Sequence, residues 1–206
     1  PVETGAHVTA VAFLGDVAAF ALGDGGVHLW TGGEGHRVEA HPDGSVLSAA
    51  CDGERLVTGG DDGRVAVTGP DGSTRTFAEA GAFAWIDALA LHKDGGVAWS
   101  AGKTVFARDP KGKEKRLETP STVRGLAFAP KGYRLAVAHV DGATLWFPNL
   151  ETAPEKLEWK GAHLDVVWSP DGRFVVTSMQ ENSLHGWRLQ PDKGHMRMSG
   201  YPGKTR

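Results

Sequence analysis

Short apolar runs separated by turn residues recur along the whole chain. Between His163 and Leu189 they read HLDVVW, FVVTS and LHGW, parted by Ser169-Pro170-Asp171-Gly172 and by Gln180-Glu181-Asn182. Alternating apolar and polar positions in runs this short predict strands, and no segment sustains the 3.6-residue period of an amphipathic helix. Pro-Asp-Gly makes a turn for a stated reason: Pro presets φ and Gly supplies a positive φ. A three-strand sheet cannot bury its faces alone, so it needs neighbours of its own kind.

Those neighbours are in the sequence. Runs that resemble Asp165–Trp168 begin at Ala10, Ser48, Ala88 and Gly125, a period of about 40 residues. Each is followed by a turn and a second run (VAAFAL, RLVTG, GVAWS, RLAVAH, FVVTS), then by another turn and a third run (VHLW, RVAVT, TVFAR, ATLWF, LHGW). A more polar fourth run closes each copy (HRVEA, STRTFAE, KEKRLE, PEKLEW, HMRMS), as suits an outermost edge that must resist wrong pairing. The expected architecture is all-β: a β-propeller of four-stranded antiparallel blades over 1–206, with blades at about 5–41, 42–80, 81–119, 120–160 and 161–200. An immunoglobulin-like sandwich would have about seven strands and no such period.

Composition narrows the class. The 206 residues are 40% hydrophobic and 23% charged, which fits a packed chain rather than a disordered one. The 29 glycines show no Gly-X-Y period and fit many tight turns. A net charge of -3 gives no reason to expect nucleic acid or an anionic membrane as partner. No apolar run approaches a membrane span. The one cysteine, Cys51, rules out an internal disulfide framework and fits a reducing, cytoplasmic location. Its place in an apolar strand suggests a buried, inert thiol.

The copies resemble WD40 repeats. That family places a His before the first strand, a Ser or Thr in the second, an Asp in the next turn and a Trp near the end of the third. The fifth copy has His163, Thr177, Glu181 or Asn182 at the turn, and Trp187. The first has His7, Asp24 and Trp30. The second has His41, Thr58 and Asp62, with Thr68 where Trp would sit. The fourth has Asp141 and Trp146. The third departs most, with Trp85 near the His position and Gly102 near the Asp position. No copy ends in Trp-Asp. The resemblance implies that these His, Ser/Thr, Asp and Trp residues are a hydrogen-bonded scaffold. It also implies that the third blade, which lacks the set, is the least rigid. Because WD40 propellers commonly have seven blades, five suggest part of a longer ring, with closure as five complete blades the alternative. The tail from Gly200 to Arg206 then reads as a loop leading into a further first strand.

Catalytic and metal chemistry find little support. There is no Gly-x-Ser-x-Gly motif and no Cys-x-x-Cys pair. Asp24-Gly25-Gly26 and Asp61-Asp62-Gly63 lack the spaced ligands and closing Glu of a calcium loop. The Gly-rich stretch from Gly23 to Gly26 precedes a strand, so no helix N-terminus stands ready to cradle phosphate. His36 with His41, and the run His195-Met196-Arg197-Met198, are the candidate metal donors, with an alternating edge strand the simpler account of the second. Lys111 to Arg116 forms a basic cluster on the polar edge of the third blade, read as a solvated face.

The expectation is therefore a non-enzymatic protein–protein interaction scaffold without cofactor or metal, bound to unidentified protein partners. A propeller enzyme, or a metal- or cofactor-binding propeller with its site at the central channel, is the alternative. By the family resemblance, partners meet the loops before the first strands and between the second and third. The candidate contacts there are Asp61, Trp85, Arg124, Asp165 and Gln180, although Trp85 could instead fill the space that the repeat gives to His.

Overall fold

The computed structural model describes residues 2–81 and 84–203. Among them every regular element is a strand and none is a helix. The first sheet runs β1 (Val8–Leu14), β2 (Val17–Leu22), β3 (Gly26–Thr31) and β4 (Glu34–Glu39), and the second runs β5 (Val46–Cys51), β6 (Leu56–Gly60), β7 (Arg64–Thr68) and β8 (Thr74–Glu79). In both, neighbours in sequence are antiparallel neighbours in space, as short turns dictate. A third four-stranded sheet contains β9 (Leu89–Leu91), β10 (Val97–Ala101), β11 (Thr104–Arg108) and β12 (Glu114–Glu118). Two compact units result, one extending to Leu89 and including Trp99–Gly102, the other holding Ala90–Ala98 and the residues from Lys103 onward.

The fourth and fifth repeats share one six-stranded sheet in sequence order: β13 (Gly125–Phe128), β14 (Leu135–Trp146), β15 (Glu155–Trp168), β16 (Phe174–Met179), β17 (Ser183–Arg188) and β18 (Gly194–Ser199). Here the structure differs from the sequence reading, which puts eight separate strands in this region. Two long strands take the place of four short ones. β14 contains both the second and third runs of the fourth repeat, with Asp141 and Gly142 at φ 64 and 140 between them. His139 Nε2 lies 2.9 Å from Thr144 Oγ1. Five residues of straight strand span roughly 16 Å, so β14 reverses at Asp141-Gly142. Glycine is required there, because a Cβ on Gly142 would stand 2.1 Å from the Leu157 carbonyl oxygen. β15 carries the last run of the fourth repeat straight into the first run of the fifth, pairing first with β14 (Gly142↔Glu158) and then with β16 (His163↔Met179).

Small residues let the strands' faces approach closely. In the first unit Ala19, Ala21, Val27, Leu29, Val46, Leu56 and Ala66 form a buried cluster. In the second unit Ala136, Ala138, Leu145, Val166, Val175 and Trp187 do the same. The outermost strands β4 and β18 are almost wholly exposed, in keeping with their polar composition. Cys51 is exposed rather than buried, because it ends β5 at the Asp52-Gly53 turn and faces outward there. Of the tail, Lys204, Thr205 and Arg206 lie outside the described residues.

Candidate functional site

Three buried histidines anchor the repeats. In the second, β6 and the turn after it deliver Thr58 and Asp62 to His41. The ring's Nδ1 meets Asp62 Oδ1 at 3.0 Å and Nε2 meets Thr58 Oγ1 at 2.9 Å. The carboxylate can only accept, so Nδ1 carries the proton and the Thr58 hydroxyl donates to Nε2. Both nitrogens of His41 are thus occupied, and it has no lone pair to offer a metal beside the exposed His36. In the fifth repeat His163 Nε2–H donates to the Trp159 carbonyl at 2.8 Å, while Nδ1 accepts from Thr177 at 2.7 Å. The Trp187 ring packs on the same imidazole, centroids 5.6 Å apart. Burial holds the His163 pKa below its usual value. In the fourth repeat His139 donates from Nδ1 to the Val140 carbonyl and accepts from Thr144. That pair escapes the sequence reading, since its His sits on the second run rather than before the first. Asking which residues oppose one another across the Asp141-Gly142 turn would have exposed it.

The first repeat is arranged otherwise. His7 is exposed, and it is the backbone that binds, with its carbonyl accepting from Gly23 N–H at 2.8 Å. Asp24 pairs with Arg37 of β4 at 2.7 Å, and the guanidinium lowers its pKa. Trp30 stacks on His28 rather than reaching His7. Of His7, Asp24 and Trp30, then, no two are joined by a hydrogen bond among the described residues. Asp141 accepts from Gly161 N–H and Glu181 from Ala162 N–H, both at 3.1 Å, so these turn carboxylates brace the backbone that precedes the fifth repeat. Trp146 is buried in β14.

The candidate contact residues fall into two groups, one per unit. In the first unit Ile86 N–H donates to the Gly60 carbonyl at 3.0 Å, which brings Trp85 beside Asp61. Trp85 is 63% exposed, whereas Ile86 is fully buried. Ile86 therefore fills the space at this position and Trp85 projects from it. Asp61 Oδ1 accepts from Ser45 N–H at 2.7 Å, leaving Oδ2 for another donor. In the second unit Arg124, Asp165 and Gln180 are all exposed. A Cβ on Gly125 would stand 2.7 Å from Asp165 Cα, so only glycine lets the residue after Arg124 pass so close to β15. Asp165 pairs across the sheet with Ser178, two residues from Gln180. Desolvation raises the Asp165 pKa even though Val166 N–H donates to its Oδ1 at 2.8 Å.

Among the described residues no three His, Cys, Asp or Glu converge as metal ligands. His195, Met196, Arg197 and Met198 lie on exposed β18. In the basic cluster Lys115 pairs with Glu151, a contact that lowers the Glu151 pKa, and Lys111, Lys113 and Arg116 are exposed.

Residues 33–67 match the model of the WD domain, G-beta repeat family, WD40. That stretch resembles a WD40 repeat. Over 122 residues the chain is 27% identical to WD repeat-containing protein 1-B of Xenopus laevis, a match that takes in 54% of the chain and 20% of that protein. The chain thus spans a fifth of that relative's length. Its fold also matches a chain in the crystal structure of a mitotic checkpoint complex, with a TM-score of 0.81 and 16% identity over 98% of this chain and 68% of that one. The chain is accordingly all-β, with antiparallel sheets matching the WD40-propeller fold, and WD40 propellers typically mediate protein interactions.

Proposed function

We propose that this chain is a non-enzymatic protein-interaction module whose contact loops carry Asp61 and Trp85 in one unit and Arg124, Asp165 and Gln180 in the other. The exposed Trp85 carries this reading. An indole 63% exposed beside a neighbour that already fills the core is an unfavourable surface for a free protein and a favoured anchor for a bound one. Arg124 supports it: a long exposed cation just before β13, whose first residue Gly125 packs on Asp165, suits a polar partner surface. Loops on a rigid β scaffold are the usual place for such contacts.

The test is a pull-down from the source cell with wild-type chain and with the Trp85→Ala/Arg124→Glu variant. The proposal expects a partner retained by the first and lost by the second at an unchanged melting temperature. If the variant unfolds, these two side chains are packing residues and the assignment fails. Partner retention by a folded variant would refute it equally.

A further inference from the structure

The sheet of each repeat has two faces, and they differ in kind. On β1, Ala10, Ala12 and Leu14 point to one side and Val11 and Phe13 to the other. The first side is the one used inside the chain, where Ala10, Ala12 and Leu14 share a cluster with Val46, Ala49 and Leu56 of the second repeat. In register with the run that begins at Ala10, Ala49 stands where Val11 does. The fourth and fifth repeats meet in the same way. Val166 and Trp168 stand where Val11 and Phe13 do, and Ala127 stands where Ala12 does. Val166 packs with Ala136 and Ala138 of the fourth repeat, and Trp168 Nε1–H donates to the Ala127 carbonyl at 3.0 Å. In both places the Ala12 side of one repeat therefore receives the Val11 side of the next.

One face of each kind is left uncovered. In the first repeat Val11 is 56% and Phe13 66% exposed. Their cross-strand rows, Val11–Phe20–His28 and Phe13–Ala18–Trp30, are no more than half-buried. In the fifth repeat the open face is the Ala12 kind. Val167 stands at that position and is 56% exposed, as is Met196 at the other end of the row Val167–Val176–Gly186–Met196. Because Gly186 carries no side chain, a depression of about 350 Å3 lies on this face, walled by Phe174, Val176, Met196 and Met198. Contiguous apolar faces like these are unfavourable on a chain that stays alone.

The surface that complements each open face is one the chain itself carries. We infer that the occupant is a second copy of this chain, docked head to tail. The Val11–Phe13 face of one copy lies on the Val167–Met196 face of another, in the arrangement that already joins the fourth repeat to the fifth. Phe13 then covers Val167 as Trp168 covers Ala127, and the flexible Met196 and Met198 close over the outer strands. The two faces are different, so the contact is heterologous and a pair of copies keeps one face of each kind free.

Sedimentation of the chain over a wide range of concentration tests this, and the mass should rise beyond that of one chain. Phe13→Glu blocks one face and Val167→Glu/Met196→Glu the other. All three side chains are exposed, so both variants should melt as wild type does. Each variant alone should remain a single chain, and an equal mixture of the two should form a one-to-one pair through the faces left intact. The Trp85→Ala/Arg124→Glu variant should associate as wild type does, which separates these faces from the loop surface. A wild-type chain that stays single at every concentration would overturn the inference. A blocked variant that associates alone would do the same, because the contact would then join like faces, and so would a mixture that fails to pair. A longer polypeptide containing these residues that stays single would also overturn it, since further repeats of its own would then fill both faces.

Discussion

Thr58 and His185 show how differently two buried polar side chains contribute. Thr58 gives its hydroxyl proton to His41, whose other nitrogen is held by Asp62. The Thr58→Val variant keeps the volume and leaves a buried ring nitrogen unpaired. It should lose about 1–3 kcal/mol, seen as a lower urea midpoint at unchanged slope. His185 is the opposite case. It is fully buried, neither ring nitrogen has a hydrogen-bond partner, and it is clasped by Trp159, Trp187 and His195. Burial, with help from the charges of His195, His163 and Arg197, pushes its pKa down to about 4 from 6.5. As pH falls below 6.5 the unfolded chain takes up this proton before the folded one does, so the stability due to the neutral ring is whole above pH 6.5 and drains away toward pH 4. The loss should be on the order of 2–3 kcal/mol. His185→Phe retains an aromatic stack and removes the proton site. It should be as stable as wild type or more so at pH 7, and urea titrations from pH 7 to 4 should show a shallower decline. A residual slope belongs to His163, which is depressed for the same reason. The spacing of His41, Thr58 and Asp62 can be read from a repeat because each has a fixed place in it. The state of His185 cannot, since a His in a third strand is the same letter whether its ring faces water or two tryptophans.

At the scale of the element, strand boundaries follow from alternation and turn chemistry, and β2, β7 and β11 lie where the apolar runs place them. What alternation does not reveal is where two runs merge. β14 contains a reversal that the sequence marks with Asp141-Gly142, yet both residues sit within one strand, whose register on β15 shifts between Val140 and Gly142. A turn residue signals a change of direction, not the end of a strand. Two glycines of the second unit separate these effects. Gly142 has φ 140 and the Leu157 carbonyl oxygen 2.1 Å from its missing Cβ, whereas Gly132 has φ 72 and open space around it. Gly132→Ala should cost about 1 kcal/mol for its backbone alone. Gly142→Ala must also push β15 away and should cost clearly more, with the greatest loss of amide-exchange protection at Ala143, Leu145 and Leu157.

At the scale of the molecule, the 40-residue period is the strongest signal, because a repeat states the architecture five times over. The contact surface is harder to read. Trp85 occupies a place where the repeat expects a buried His, and only the burial of Ile86 beside it shows which residue fills the core. A cavity between the fourth and fifth repeats leaves no motif at all, being bounded by residues from Pro120 to Arg197 that meet only after folding. The unbroken course of β15 also bears on how this chain can be taken apart. Repeat proteins invite cutting and grafting between units, at loops that tolerate new ends. Between the fourth and fifth repeats there is no such joint. Gly161 sits in a strand paired on either side of it, beneath Met179 and Glu181. A new terminus or an inserted domain fits instead at Gly32-Gly33, an exposed turn with open space at both residues. The seam that the sequence suggests between these two repeats is therefore the place where the chain is least divisible.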